Sequence, residues 1–209
     1  MRVPRQQVIV VTDGDVTAYR GIRAACEELG LTVVKATRGN PTPIRGQRLI
    51  DAIMAAGDDA GRPVVAMVDD RGEPGTGAGE RDLTTILASD QLQVRGVVAV
   101  AANTRGVAGV VPDRSVDKRQ RIVRRAVNKG GQAQGTVLRG DTVDVLRKFP
   151  EVPVVGLGDP GKMGGSDDAS HGSPVTARAL RALLNTNGAA ASGGEASPRD
   201  WSEEGHSHA

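Results

Sequence analysis

The feature that most constrains the fold is a series of short apolar runs, each followed by a segment with helical spacing. The first run, Val8 to Val11, is β-branched throughout and shows no polar alternation, which is typical of a strand buried on both faces of a parallel sheet. Four further runs lie at residues 31–36, 63–68, 97–101 and 152–157. This alternation predicts an α/β fold of the flavodoxin or Rossmann kind, with an open, mainly parallel sheet of about five strands and helices on both faces.

Capping residues mark the ends of two predicted helices. Gly30 follows the apolar stripe of the first helix, and we expect it at the C′ position, where glycine adopts a left-handed conformation without steric cost. Ser173 is expected to cap the last helix with Pro174 in its first turn. Gly188 is expected to end that helix.

The sequence divides into one domain and a tail. Residues 1–188 are predicted to form a single α/β domain, whose core must be aliphatic because the chain has only three aromatic residues. Residues 189–209 hold few large apolar side chains and many small or charged ones. A disordered tail is therefore expected there.

A basic insertion interrupts the alternation at about residues 106–140. Nine Lys and Arg residues and two Asp residues lie between Arg105 and Arg139, a local excess of seven positive charges. The apolar spacing at residues 122–127 fits a helix, whereas Gly130 and Gly131 fit a hairpin, and both structures stay open. The charge suits either a solvated face or anionic lipid. Nucleic-acid binding is disfavoured because the segment has no aromatic side chain to stack on bases.

Composition excludes several other classes. No run approaches the 18 apolar residues of a membrane span, and the four-residue run before Asp13 is too short for a signal peptide. The single cysteine, Cys26, excludes a disulfide framework and a cysteine-based zinc site.

Polar residues follow each predicted strand, and these are the candidate ligand-binding residues. In an open parallel sheet, ligands bind beyond the carboxyl ends of the strands. We therefore expect one shared polar edge, formed by Asp13, Asp15, Asn40, Asp69, Asp70, Asn103, Asp159 and Lys162.

Two interpretations of the acidic residues stay open. Carboxylates that converge repel one another unless a cation lies among them, and Mg²⁺ or Ca²⁺ prefers carboxylate oxygen. The predicted metal ligands are Asp13, Asp15, Asp69 and Asp70. The alternative is structural, with Asp13 or Asp15 capping the first helix and Asp70 capping a turn.

The sequence from Asp13 to Thr17, D-G-D-V-T, also suggests catalysis. It looks like the opening motif of haloacid-dehalogenase-type phosphatases, in which the first Asp attacks phosphorus and the second acts as acid and base. This resemblance supports an alternative function as a Mg²⁺-dependent phosphoryl-transfer enzyme. It is limited to five residues, and the essential lysine of those enzymes has no convincing counterpart.

A longer resemblance covers residues 8–187. The motifs are VIVVTDGD, RGNPTP, VVAMVDDRG, GDTVDVL and VVGLGDPGKMGGSDD, followed by GSPVTARAL. In this order they resemble the soluble, hydrophilic form of stage V sporulation protein AE. The arginine-rich stretch near residues 119–125 and the long tail depart from that family's pattern.

The resemblance implies a sporulation and germination protein that acts by binding and not by catalysis. Its operon serves the movement of dipicolinic acid, chelated with Ca²⁺, across the inner membrane of the spore. The expected location is peripheral at that membrane, beside membrane proteins of the same operon, with homo-oligomerisation left open. The resemblance transfers no catalytic residue.

Overall fold

The computed structural model describes residues 5–58, 60–71, 77–104 and 106–188, with backbone only for the last two. A seven-stranded sheet runs through the described part of the chain. Its strands are β1 (Gln6–Val11), β2 (Thr32–Val33), β3 (Val64–Met67), β4 (Leu92–Val100), β5 (Arg114–Val116), β6 (Ile122–Val123) and β7 (Val154–Leu157).

Four α-helices and five short 3₁₀ helices accompany the strands in the described residues. The α-helices are α1 (Val16–Leu29), α2 (Gln47–Ala55), α3 (Ala78–Leu87) and α4 (Pro174–Leu184). The 3₁₀ helices are Lys35–Thr37, Val143–Lys148, Met163–Gly165, Ala169–His171 and Asn185–Gly188. As predicted, α1 ends at Gly30, which has the left-handed φ of 64°.

The two faces of the sheet carry separate aliphatic cores. On β1, Val8 and Val10 face a core that includes residues of α2 and α3, whereas Ile9 and Val11 face one that includes residues of α1 and α4. All four of these side chains are fully buried. The unbroken apolar run therefore reflects burial on both faces, and the α/β prediction is confirmed.

The strand order is β2-β3-β1-β4-β7-β5-β6, and all pairs are parallel except β5 with β6. The strands from β2 to β3 lie on one side of β1, and all later strands lie on the other. The connections thus diverge at β1. In doubly wound sheets such a divergence opens a crevice at the carboxyl ends of the strands.

The sheet has more strands than the five predicted, because the basic insertion is extended and not helical. Strand β5 pairs with β7, and β6 pairs antiparallel with β5. Isolated bridges join Val110 to Leu138 and Val127 to Ala133. Valines of this segment therefore lie in short strands and isolated bridges and not in a helix. The predicted strand at residues 31–36 is shorter than expected, because the 3₁₀ helix Lys35–Thr37 follows β2 directly.

Helix α4 is capped by Asp167 and not by Ser173. Ser173 has the N-cap position, but it has a left-handed φ of 47° and makes no capping hydrogen bond through its side chain. Instead, the backbone N–H groups of Val175 and Thr176 donate to Asp167 Oδ1 at 2.8 and 2.9 Å. A capping residue seven positions before the helix lies outside any local sequence pattern.

Among the described residues, no helix has the length and apolar character needed to cross a bilayer. The predicted tail, 189–209, lies outside the described residues.

Candidate functional site

A cleft of about 100 Å³ opens where β1, β3, β4 and β7 end. We call it the strand-end cleft. The predicted residues Asp13, Asp15, Asn40, Asp69, Asp159 and Lys162 all line it, together with Thr12, Val100, Ala101, Ala102, Lys129 and Asp141. The geometry thus brings six of the eight candidate residues together.

The turn between β1 and α1 fixes the first two acids of the cleft. Asp15 is the N-cap of α1, and its Oδ1 accepts the N–H groups of Thr17 and Ala18, both at 2.7 Å. Asp13 Oδ1 accepts the N–H of Asp15 at 3.1 Å. The capping interpretation is therefore correct for Asp15, and it leaves Asp15 Oδ2 directed to the cleft.

A second loop holds Asp69 against this turn. Asp69 Oδ2 accepts the N–H of Gly14 at 3.0 Å, and Asp69 Oδ1 accepts the N–H of Arg71 at 3.2 Å. The N–H of Thr42 donates to the Asp69 carbonyl at 3.0 Å, which holds the loop bearing Asn40 at the same rim. A side chain at Gly14 would lie 2.5 Å from the Gly39 carbonyl oxygen, so this close approach requires glycine.

Lys162 is the cation that joins the two sides of the cleft. Its Nζ lies 3.0 Å from Asp15 Oδ2 and 3.1 Å from Asp159 Oδ1. Lys129 Nζ lies 3.6 Å from Asp159 Oδ2. The loop of Lys162 reaches α1 because Gly21 packs on Gly161, where a Cβ on Gly21 would be 2.7 Å from the Gly161 Cα.

The pKa values of the cleft acids separate into two groups. Burial raises the pKa of Asp13 to about 7, and the charges of Asp15, Asp69 and Asp159 add to this effect. Burial also raises the pKa of Asp69. Burial acts to raise the pKa of Asp15 too, but hydrogen bonds from the Ala18 N–H and Lys162 outweigh it and lower that pKa.

Asp141 belongs to the first of these groups. Its pKa rises to about 6 through burial and through the charges of Asp70 and Asp69. The part of the cleft away from Lys162 therefore favours neutral acids or a bound positive charge.

Two candidate residues lie outside the strand-end cleft. Asn103 lines an adjoining pocket of about 300 Å³, which shares Ala101, Ala102 and Lys129 with the cleft. Asp70 is buried beside the start of α3 and lines neither space. Both residues follow β3 in the chain, but only Asp69 reaches the rim of the cleft.

The metal prediction for Asp13, Asp15, Asp69 and Asp70 remains a prediction. Three of these four residues share the cleft, and Asp70 does not. In the parts of the chain that the structure describes, no three Asp, Glu, His or Cys side chains form a group with metal-holding geometry.

Three polar residues of the cleft were not predicted: Thr12, Lys129 and Asp141. Thr12 Oγ1 accepts the Val100 N–H at 2.9 Å, which ties β1 to β4 at the rim. Lys129 and Asp141 come from the basic insertion and its end, whose fold the sequence left open. The only available signal was the position of Asp141 within the GDTVDVL motif.

The adjoining pocket differs from the cleft in charge. Its polar lining consists of Asn103, Thr104, Asn128, Gln134, Lys129 and Arg139. Among the described residues, this lining contains amides, a hydroxyl and cations but no carboxylate. The two spaces together therefore have an acidic end and a cationic end.

A doubly wound sheet with a polar cleft at its carboxyl edge defines the class: an α/β protein with a polar strand-end cleft. A family model described as stage V sporulation protein AE1 matches residues 7–187. The chain belongs to this family, as its motifs suggested, and is a sporulation-related protein. Searches of curated proteins and of solved structures found no match.

The opposed pKa shifts of Asp13 and Asp15 predict opposite effects of the same substitution. A raised pKa in the folded state means that Asp13 favours folding below its unfolded pKa and loses that contribution as the pH rises through about 7. Asp13→Asn should therefore stabilise the protein at pH 8 by roughly 1–3 kcal/mol. The gain should shrink as the pH falls to 5. Urea unfolding at both pH values measures this.

Asp15→Asn is the matched control for this experiment. The lowered pKa of Asp15 stabilises the fold above the unfolded pKa, and that contribution is lost only as the pH falls through the folded value. This variant should lose about 1 kcal/mol at pH 8, because the cap and the Lys162 contact weaken. Equal destabilisation by both substitutions at pH 8 would show that Asp13 is not buried among acids.

Proposed function

We propose that this protein is a peripheral accessory component of the dipicolinic acid channel system at the spore inner membrane. Its family membership supports a role in sporulation. The role at the channel is our proposal, as is action by binding. It rests on the family resemblance together with the strand-end cleft and the exposed cations of the basic insertion.

The hydrogen bonds and the ion pair that Asp15 makes are the observation that favours binding over catalysis. In the phosphoryl-transfer alternative, Asp15 would have to donate and accept protons. Its Oδ1 accepts two backbone N–H groups, and its Oδ2 contacts Lys162. A carboxylate held by three donors is a poor acid and base near neutral pH. A nucleophilic Asp13 is also disfavoured, because its pKa of about 7 leaves it substantially protonated.

The charge distribution of the two adjoining spaces suits a small anion that carries a divalent cation. The acidic end, with Asp13, Asp69 and Asp141, would face the cation, Ca²⁺ or Mg²⁺. The cationic end, with Lys129 and Arg139, would face the anion. This arrangement supports a chelate as the ligand of the cleft.

The basic insertion provides the surface that we assign to anionic lipid. The basic edge consists of Lys118, Arg119, Arg124 and Arg125, all exposed, around Ile122, which is 42% exposed. Within the described residues, none of the four cations forms an ion pair, whereas neighbouring Arg121 is paired with Asp117. Free cations beside an exposed apolar side chain are suited to a membrane surface.

The basic edge predicts charge-dependent binding to lipid vesicles. Arg124→Gln with Arg125→Gln should weaken binding to vesicles of mixed phosphatidylglycerol and phosphatidylcholine about 30-fold, because each charge contributes about 1 kcal/mol. Sedimentation of the full chain with vesicles measures this. The matched control, Arg20→Gln with Arg48→Gln, removes two exposed charges from α1 and α2 and should change binding far less. Vesicle binding that is indifferent to salt, or an equal loss in both variants, would contradict the assignment.

The proposed role also predicts physical partners in the cell. A tagged full-length chain, expressed during sporulation, should be recovered with the spore membrane fraction and should enrich the membrane proteins encoded in the same operon. The Arg124→Gln and Arg125→Gln variant should be depleted from that fraction. Mass spectrometry of the captured material provides the measurement. A chain that is absent from spore membranes and enriches none of these proteins would overturn the proposal.

A further inference from the structure

A second group of oxygens lies outside the strand-end cleft, at the start of α3. It consists of Asp70, Glu80 and Thr142, which we call the buried oxygen cluster. Their exposed fractions are 1%, 7% and 1%. Asp70 follows β3, Glu80 lies in the first turn of α3, and Thr142 precedes the 3₁₀ helix Val143–Lys148. Three separate segments thus contribute one oxygen-bearing side chain each.

Glu80 has an ordinary structural role that uses only part of its carboxyl group. Gly77 is the N-cap of α3, and the backbone N–H groups of Gly77 and of Glu80 itself act to lower the pKa of the Glu80 carboxyl. This is the glutamate half of a capping box. Among the described residues, however, no donor reaches Glu80 Oε2, although that atom is fully buried.

Two glycines show that the three oxygens converge. A Cβ placed on Gly77 would lie 2.7 Å from Asp70 Oδ2 and 3.0 Å from Glu80 Oε2. A Cβ placed on Gly79 would lie 3.2 Å from the same Asp70 Oδ2 and would collide with Thr142 Oγ1. Asp70 Oδ2 is therefore close to both glycines, Glu80 Oε2 lies beside Gly77, and Thr142 Oγ1 lies beside Gly79.

The Glu80 and Asp70 carboxyl groups need a positive charge between them. Burial, with the hydrogen bond to Asp70 next in effect, raises the pKa of Glu80 to about 8. Two carboxylates both accept hydrogen bonds, so they can contact each other only across a proton or a metal ion.

The Thr142 side chain favours a metal ion over a shared proton between the two carboxyl groups. Its Oγ1 is buried, and no hydrogen-bond partner for it exists among the described residues. A proton shared by Asp70 and Glu80 would leave this hydroxyl unsatisfied, which is costly in a buried position. A cation would take a lone pair from Thr142 as well as from both carboxylates, and hard divalent ions accept such mixed oxygen ligands.

We propose that Asp70, Glu80 and Thr142 form a divalent-cation site separate from the strand-end cleft. The ion replaces the proton shared by the two carboxyl groups, and that proton passes to solvent. The site links the start of α3 to the end of β3 and to the segment before Val143. The proposal does not depend on the channel function, because it concerns different residues.

Titration of the full-length chain with Mn²⁺, followed by the electron paramagnetic resonance of free Mn²⁺, tests this site. Glu80→Gln keeps an oxygen for the capping role but removes the charge, and should weaken Mn²⁺ binding about tenfold or more. Thr142→Val should weaken it as well. Asp82→Asn, a buried acid on the same helix, should leave this binding unchanged, and Asp13→Asn reports separately on any Mn²⁺ held in the strand-end cleft. Calorimetry in two buffers should detect proton release when Mn²⁺ binds at pH 7.

The outcomes separate the alternatives. Loss of one Mn²⁺ in Glu80→Gln and in Thr142→Val, with its retention in Asp82→Asn, supports the site. Loss in Asp13→Asn alone places the ion in the strand-end cleft and overturns the proposal. If the wild-type chain binds no Mn²⁺, the two carboxyl groups share a proton only, and the proposal is wrong. Circular dichroism of each variant checks that the fold is retained.

Discussion

The rest of the site depends on the placement of Lys162 between two carboxylates that come from opposite ends of the chain. Parallel strands deliver their carboxyl ends to one edge, and here those ends carry acids that would repel one another. Nζ of Lys162 lies about equally far from Asp15 and Asp159. Backbone N–H groups donate to Asp69, but burial outweighs them and raises its pKa. Asp13 and Asp141 likewise keep raised pKa values. We propose that this part of the rim, where the pKa values are raised, faces a bound cation or a chelate.

The fold was largely predictable because burial on both faces leaves a direct trace in the sequence. A strand such as β1 must be apolar at every position, so its limits are visible without any structural information. The basic insertion was not predictable in this way. Strands β5 and β6 have only three and two residues, and such short apolar runs fit several structures. The cap of α4 was missed for a different reason, since Asp167 reaches the helix across a turn that only the tertiary fold defines.

The candidate site was predictable where a residue directly follows a central strand, as Asp13, Asp69 and Asp159 do. It was not predictable where a loop turns back to the rim. Lys129 lies beside Asp159 because the insertion forms a hairpin. Asp141 follows that hairpin in the chain, and it lines the cleft because the hairpin returns the chain to the rim. Asp70 shows the opposite error, because position beside a strand end does not determine which way a side chain points. Its side chain instead contacts Glu80 in the buried oxygen cluster.

The most direct test of this account is a carboxyl ¹³C NMR titration of the aspartates in the full-length chain and in Lys162→Met. We expect Asp13 to titrate near 7 in the wild-type chain and Asp15 to titrate below its usual range. Removal of the lysine charge should raise the pKa of Asp15 while the fold is retained. Ordinary pKa values near 4 for both residues, unchanged by Lys162→Met, would show that the acids do not converge on one rim.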